Sequence, residues 1–228
     1  MKIYEETLGS SAMYSTEHQI SLEKLIRFEV KSLLGRFFLN SYPPLLDSEN
    51  NLLHLGCGDS CFEGWVNADF FNFKLTNNTK KPEWMLDLRY PMKCESNYWN
   101  GVFTEHTLEH LYPNHAVNCL KEILRTLKPK CWVRISVPDL RKYVDFYRCI
   151  EVGDNFKKWS MGAEAIRSLT QDFGHLSVWD SDLLEVTLKD IGFTNVRQVD
   201  FLEATDKRLL KEAEARRWES LYMEAQKP

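Results

Sequence analysis

Hydrophobic residues recur along this chain in two alternating rhythms. From Thr16 to about Asn40 they fall at helical spacing, with Leu22, Leu25, Ile26, Leu33 and Phe37 on one side and Glu23, Lys24, Lys31 and Arg36 on the other. The pattern predicts an amphipathic leading helix. Ser-Tyr-Pro-Pro at 41–44 ends it, because neither proline continues a helix and each disfavours helix in the residue before. Short apolar runs follow at Leu52–Leu55, Trp65–Asp69, Trp84–Leu88 and Gly101–Thr104, and most end at or near a polar or acidic residue. These read as buried strands whose ends line one edge of a sheet with polar groups.

Helical spacing returns from Asn114 to Leu127, with Asn114 as the expected N-cap and Pro129 as the stop. It returns again from Asp180 to Ile191, where Gly192 breaks the helix. Cys131–Asp139 alternates like a strand, and Phe193–Phe201 reads as another. Residues 139–178 fit no strand and are expected as a helical or loop insertion over the polar edge. The run K-E-A-E-A-R-R-W-E-S-L-Y is expected as a solvated helix or tail. Strands alternating with helices give an α/β class with a largely parallel sheet, whose ligands bind beyond the carboxyl ends of the strands. The expected organisation is a helical extension over 1–45, a main domain over 46–205 with 139–178 inserted on its substrate side, and a C-terminal helix or tail over 206–228.

Composition narrows the classes. The 228 residues are 43% hydrophobic, enough for a sizeable core. A net charge of -4 with scattered Lys and Arg lacks the basic footprint of a nucleic-acid binder. No window approaches the roughly 18 apolar residues of a membrane span, and the N-terminus M-K-I-Y-E-E-T lacks an apolar core, so a soluble cytoplasmic protein is expected. The six cysteines form no C-x-x-C pair, and four sit in apolar segments, which suits reduced core thiols.

The stretch F-T-E-H-T-L-E-H-L, Phe103 to Leu111, contains H-x-x-E-H in His106, Glu109 and His110. In a zinc hydrolase that signature needs both imidazoles on one continuous helix. Here Val102-Phe103 reads as strand and Pro113 follows closely, so no metal ligand is assigned. Gly56-Cys57-Gly58 directly after a strand is a sharp turn that lets the backbone approach a ligand. Asp69, at the next strand end, is placed to accept from both hydroxyls of a ribose. Asp87-Leu88, one strand later, offers a carboxylate and an amide to an adenine edge. Together these strand ends supply what an adenosine-containing cofactor needs. A dinucleotide oxidoreductase would want G-x-G-x-x-G and an acid about 20 residues on, whereas this chain has G-C-G-D-S-C and an acid far earlier.

Six ordered motifs carry a resemblance. They are Leu53-His54-Leu55-Gly56-Cys57-Gly58, Gly64-Trp65-Val66-Asn67-Ala68-Asp69, Asp87-Leu88-Arg89-Tyr90-Pro91, Glu105 to Leu111, Leu124-Arg125-Thr126-Leu127-Lys128-Pro129 and Ser136-Val137-Pro138-Asp139-Leu140. In this order, over roughly residues 50–202, they resemble class I S-adenosylmethionine-dependent methyltransferases. The resemblance implies a Rossmann-like fold, a mostly parallel seven-stranded sheet flanked by helices, with an N-terminal helix and an inserted lid. It implies S-adenosylmethionine as cofactor and S-adenosylhomocysteine as product, held by His54, Gly56, Cys57, Gly58, Asp69, Phe70, Asp87, Leu88 and Glu105. His106 is the first candidate for taking a proton from the acceptor and His110 the second, histidine being suited to that role at neutral pH. Asp139, Arg141, Tyr143, Tyr147, His175 and Trp179 are the acceptor-side candidates.

Some quinone-type relatives place a divalent metal on this segment, which here would put Mg²⁺ on Glu105, Glu109 and His110. Glu219 to Ala225 and Gly174-His175-x-x-x-Trp179 resemble a bacterial and phage subgroup of type 11, often tied to surface-glycan synthesis. That implies a hydroxyl of a small molecule, sugar or glycan as acceptor; a homodimer is a candidate assembly that these residues do not fix. Two departures stand out, His54 where the family carries an acid and Ser60 where it carries a third glycine. They keep open a degenerate relative, retained as a binding or scaffold module. Ten residues between Gly58 and Asp69 leave room for a loop or single turn in the first crossover.

Overall fold

A computed structural model describes residues 22–47, 49–71, 82–150 and 152–228. The leading helix, α1, spans Leu22–Phe38; the expected turns from Thr16 to residue 21 lie outside the described residues. Strands follow at β1 (Leu52–Leu55), β2 (Val66–Asp69), β3 (Trp84–Met85) and β4 (Gly101–Glu105). Helix α2 (Pro113–Thr126) leads to β5 (Trp132–Pro138), and the insertion carries α3 (Leu140–Tyr147) and α4 (Gly162–Gln171). Helix α5 (Ser181–Ile191), β6 (Thr194–Val199) and β7 (Ser220–Gln226) complete the chain.

The seven strands form one sheet in the order β3-β2-β1-β4-β5-β7-β6. Neighbours from β3 through β5 pair in parallel, and β7 runs antiparallel to both β5 and β6. This is the Rossmann-like α/β architecture that the motifs imply. Alternation along each strand separates two faces. Leu53, Leu55, Val66, Ala68, Val102, Val133 and Ile135 pack in the main core with Leu120 and Ile123 of α2 and Leu184 and Leu188 of α5. Leu52, Trp65, Phe103 and Leu209 pack on the other face. The winding reverses between β1 and β4, so the crevice where such sheets bind ligands opens beyond the carboxyl ends of these two strands.

Three expectations need correction. The C-terminal run is no solvated helix or tail, because Ser220–Gln226 is a buried strand inserted between β5 and β6. Its Leu221, Met223 and Ala225 enter the main core, while Glu224 on the opposite face is buried by pairing with Arg197 and Thr205. A buried charge among alternating apolar residues is what disguised it. The apolar stripe of α1 is not its buried face: Ser32 and Gly35 are buried, whereas Leu22, Leu33 and Phe37 are 72%, 60% and 80% exposed. Finally, α2 is capped at Tyr112 with Pro113 as its first residue, since proline's missing N–H costs nothing there, so Asn114 is inside the helix.

The other boundaries agree closely with the pattern, except that the strand expected over Trp84–Leu88 is only Trp84–Met85, which leaves Asp87 and Leu88 in the turn beyond it. Asp180 caps α5 by accepting from the Leu183 amide, and Gly192 ends it with φ +112°. The crossover from β1 to β2 contains no helix. None of the six cysteines forms a disulfide, and Cys57, Cys94 and Cys119 are buried. Among the described residues no helix is long and apolar enough to cross a membrane.

Candidate functional site

The turn after β1 and the turn after β4 meet at the reversal point. Gly56 and Gly58 both have left-handed backbone, φ +75° and +53°, but they are needed for different reasons. A Cβ on Gly56 would stand 2.1 Å from Oγ1 of Thr107, so this glycine makes room for the turn leaving β4. A Cβ on Gly58 would meet nothing within 4 Å, so the space on that side of the residue is open. Cys57 between them is buried, and burial raises its thiol pKa far above the usual range, which leaves it unreactive.

Asp69 ends β2 beside this turn. Its Oδ2 accepts from the Gly58 amide at 2.5 Å and its Oδ1 from the Phe70 amide at 2.6 Å. An ionised carboxylate has about four lone-pair positions, so two remain for hydroxyl donors. Phe70 next to it stacks on Phe28 of α1, with ring centroids 4.5 Å apart and an interplanar angle of 14°. Asp87 is more fully engaged. It accepts from Ser32 Oγ of α1 at 2.6 Å, from Arg89 Nε at 3.0 Å and from Arg89 Nη2 at 2.7 Å, and Arg89 also pairs with Glu29 of α1. Burial alone would raise the Asp87 pKa; hydrogen bonds from Arg89 and Ser32 outweigh it and hold the carboxyl low. Both Asp87 oxygens are therefore spoken for by the fold. Leu88 beside it packs against the main core.

His54 sits inside β1, stacked on Phe62 with centroids 4.1 Å apart and 7° between planes. Burial lowers its pKa to about 4, despite opposing hydrogen bonds to Asn67 and the Ser60 backbone. It is a neutral packing ring between aromatic neighbours, not a group presented at the strand end.

On the β4 side, His106 is forced into left-handed backbone, φ +48°, where a non-glycine residue is strained. Its Nε2 lies 2.7 Å from Ser220 Oγ of β7. Ser220 already donates its hydroxyl hydrogen to the Arg216 carbonyl, so the imidazole N–H must donate to Ser220, and Nδ1 keeps a bare lone pair. That Nδ1 stands 3.4 Å from Oε1 of Glu109. Burial, with the charges of Arg216, His175 and His110, lowers the His106 pKa to about 3. Glu109 is 1% exposed, and neither carboxylate oxygen has a hydrogen-bond partner on another residue among the described residues. Burial pushes its pKa up to about 8. Glu105 accepts from the Ala213 amide at 3.2 Å, and burial raises its pKa as well.

His110, exposed at the rim, ends a short 3₁₀ turn and meets His175 edge to face, with centroids 5.0 Å apart. Burial, followed by the charge of His175, lowers the His110 pKa. His175 reaches this point from the insertion, after two residues with positive φ, Phe173 at +60° and Gly174 at +74°. The other acceptor-side candidates are placed elsewhere. Asp139 caps α3 by accepting from the Arg141 amide, and Arg141 turns outward to Asp182. Tyr143 is buried among Phe156, Trp159 and Trp218, with its hydroxyl 2.7 Å from Glu219. Trp179 is buried and donates to Ser177. Tyr147 lines a groove of about 580 Å³ with Phe146, Ile150, Val152 and Met161 among its walls, which shares no residue with the strand-end turns.

The structure thus brings Gly58 to Asp69 at the turn after β1, and groups His106 with Glu109, and Glu109 with His110 and His175, at the turn after β4, which touches the end of β1 through Thr107. Thr107, Ser220, Ser32 and Phe28 were absent from the sequence-based set. The contacts of Ser220 and Phe28 depend on pairings across more than 40 residues, which no local spacing announces.

No family model matches the chain, and no curated protein matches it. Among solved structures it is similar to a SAM-dependent methyltransferase from Archaeoglobus fulgidus, with 17% identity and a TM-score of 0.49 over 99% of this chain and 98% of that one. A SAM-dependent methyltransferase from Aquifex aeolicus gives 15% and 0.47 over 91% and 94%. Phosphoethanolamine N-methyltransferase 2 of Haemonchus contortus, solved with S-adenosyl-L-methionine, gives 14% and 0.44 over 99% and 56%. At these scores the likenesses carry no argument of their own, and the fold rests on the strand order.

Proposed function

We propose that this chain transfers the methyl group of S-adenosylmethionine to a hydroxyl of a small molecule, sugar or glycan. The observation that carries the reading is the meeting of two turns at the point where the sheet reverses. One holds Gly58 and Asp69 in a shared hydrogen bond beside open space; the other brings up imidazoles and a carboxylate. Gly58 and Asp69 would bind the ribose and backbone-facing side of the cofactor, with Phe70 beside them. Mg²⁺ on Glu105, Glu109 and His110 is less well supported, because Glu105 turns to the Ala213 amide.

Transfer from a sulfonium is an in-line displacement. The acceptor oxygen bonds to the methyl carbon, the carbon–sulfur electron pair returns to sulfur, and the hydroxyl proton leaves to a base. The protein's contribution is to position both reactants and to handle that proton. His106 suits positioning better than proton transfer, because Ser220 and Glu109 flank its two nitrogens. We assign the acceptor hydroxyl to the Glu109–His110–His175 side of the crevice. Incubating the protein with S-adenosylmethionine and a panel of nucleotide-sugars and oligosaccharides tests this. The expected outcome is S-adenosylhomocysteine formation with a one-methyl mass gain on one acceptor class; cofactor binding without any acceptor-dependent product would contradict it.

A second reading, a fold kept as a binding or scaffold module, is favoured by the saturation of Asp87 by Arg89 and Ser32. Absence of any S-adenosylhomocysteine binding would select it.

A further inference from the structure

Glu109, His110 and His175 each present one ligand atom, and the three atoms lie within 4.8 Å of one another. We propose that they form a binding site for a divalent transition-metal ion, with Zn²⁺ as the natural occupant of a two-imidazole, one-carboxylate set. The ligands differ from those the H-x-x-E-H spelling suggests, because His106 is turned to Ser220 and its place is taken by a histidine 65 positions after His110.

Three independent features support the site. The Glu109 carboxylate is buried and has no hydrogen-bond donor from another described residue, yet it faces the bare Nδ1 of His106 at 3.4 Å. Two lone-pair-bearing atoms in a buried space call for something electropositive, either a proton or a cation. His175 is set up as a ligand. Its Nδ1 lies 2.7 Å from the Leu169 carbonyl, which can only accept, so Nδ1 carries the hydrogen and Nε2 of the neutral ring keeps its lone pair. The segments bearing the ligands are also stitched together: the Glu109 carbonyl accepts from the amides of Leu176 at 2.7 Å and Ser177 at 3.1 Å, and Ser177 Oγ donates to the Leu108 carbonyl.

Around a tetrahedral ion with bonds of about 2.0–2.2 Å, ligand atoms stand roughly 3.3–3.6 Å apart, so closure needs side-chain movements of about an ångström. Three protein ligands would leave a fourth position of a tetrahedral ion for water or another oxygen. Arg216 opposes a cation here, and Glu105, Glu219 and Asp69 counter it. The ion's role toward an acceptor hydroxyl rests on the methyl-transfer reading above; its binding does not.

The chelator-stripped 228-residue chain is titrated with Zn²⁺ against a chromophoric competitor, and with Co²⁺ while visible absorption is followed. One equivalent should bind, with Co²⁺ bands of nitrogen and oxygen ligation. Affinity should fall by at least about tenfold in His175→Ala and in Glu109→Gln, and be retained in His115→Ala. If Glu109→Gln does not fold, His175→Ala near the rim carries the test. No stoichiometric binding, unchanged affinity in His175→Ala, or thiolate charge-transfer bands showing cysteine ligation would overturn the site. S-adenosylhomocysteine titration of the stripped protein reports separately on the cofactor reading.

Discussion

Gly56 and Gly58 share one turn and one backbone region, yet substitution should separate them. Gly56→Ala drives a methyl into Thr107 at a positive φ, and we expect it to cost about 1–3 kcal/mol in denaturant unfolding. Gly58→Ala meets no atom within 4 Å, so it bears only the backbone strain and should cost less. His54 gives a pH prediction. Its folded pKa is depressed from 6.5 to about 4, so the unfolded chain binds the extra proton in that window. Its contribution is present above pH 6.5 and lost as the pH falls through about 4. Phe62 and Phe103 pack against the ring, and Lys211 lies 5.6 Å over Phe62, adding positive charge to the neighbourhood. His54→Phe should keep the stacking and flatten stability against pH between about 6.5 and 4 by about 1–3 kcal/mol, as measured by urea unfolding at each pH. An unchanged slope would place the acid sensitivity elsewhere. At this scale the glycines and Asp69 were legible because backbone freedom and a terminal acid are properties of single positions. The roles of His54 and His106 were not, since their rings answer to Phe62 and Ser220, which are set by packing.

Among elements, α1 was readable as a helix and misread as a face. Its apolar stripe points outward, and it docks through small and polar residues: Gly35 under Phe71, Ser32 on Asp87, Phe28 on Phe70 and Glu29 on Arg89. A Cβ on Gly35 would stand 2.1 Å from the Phe71 ring, so Gly35→Leu should lift α1 from the sheet. Hydrogen exchange over residues 22–38 should rise by at least about tenfold while β1, β4 and β5 keep their protection. Equal protection in the variant would mean that α1 docks by other contacts. The same limit hid β7. Periodicity reports which residues share a face, but a strand that buries Glu224 against Arg197 breaks the polar-outside rule on which the reading depends. Helices α2 and α5 were legible because their apolar stripes do enter the core.

For the whole molecule, strand order decides what the separate motifs can mean. The reversal between β1 and β4 puts the Gly58–Asp69 turn and the imidazole cluster at the same end of the sheet, although 47 positions separate Gly58 from Glu105. Helix α1 closes over Phe70 and Asp87 from one side, and the insertion delivers His175 from the other. The direct measurement of this arrangement is calorimetric titration of S-adenosylhomocysteine into the full chain and into Asp69→Ala. We predict one binding event for the unaltered chain, weakened by at least about tenfold in Asp69→Ala, because two backbone amides and the ribose hydroxyls would lose the same acceptor. No heat with the unaltered chain, or equal affinity in the variant, would contradict it.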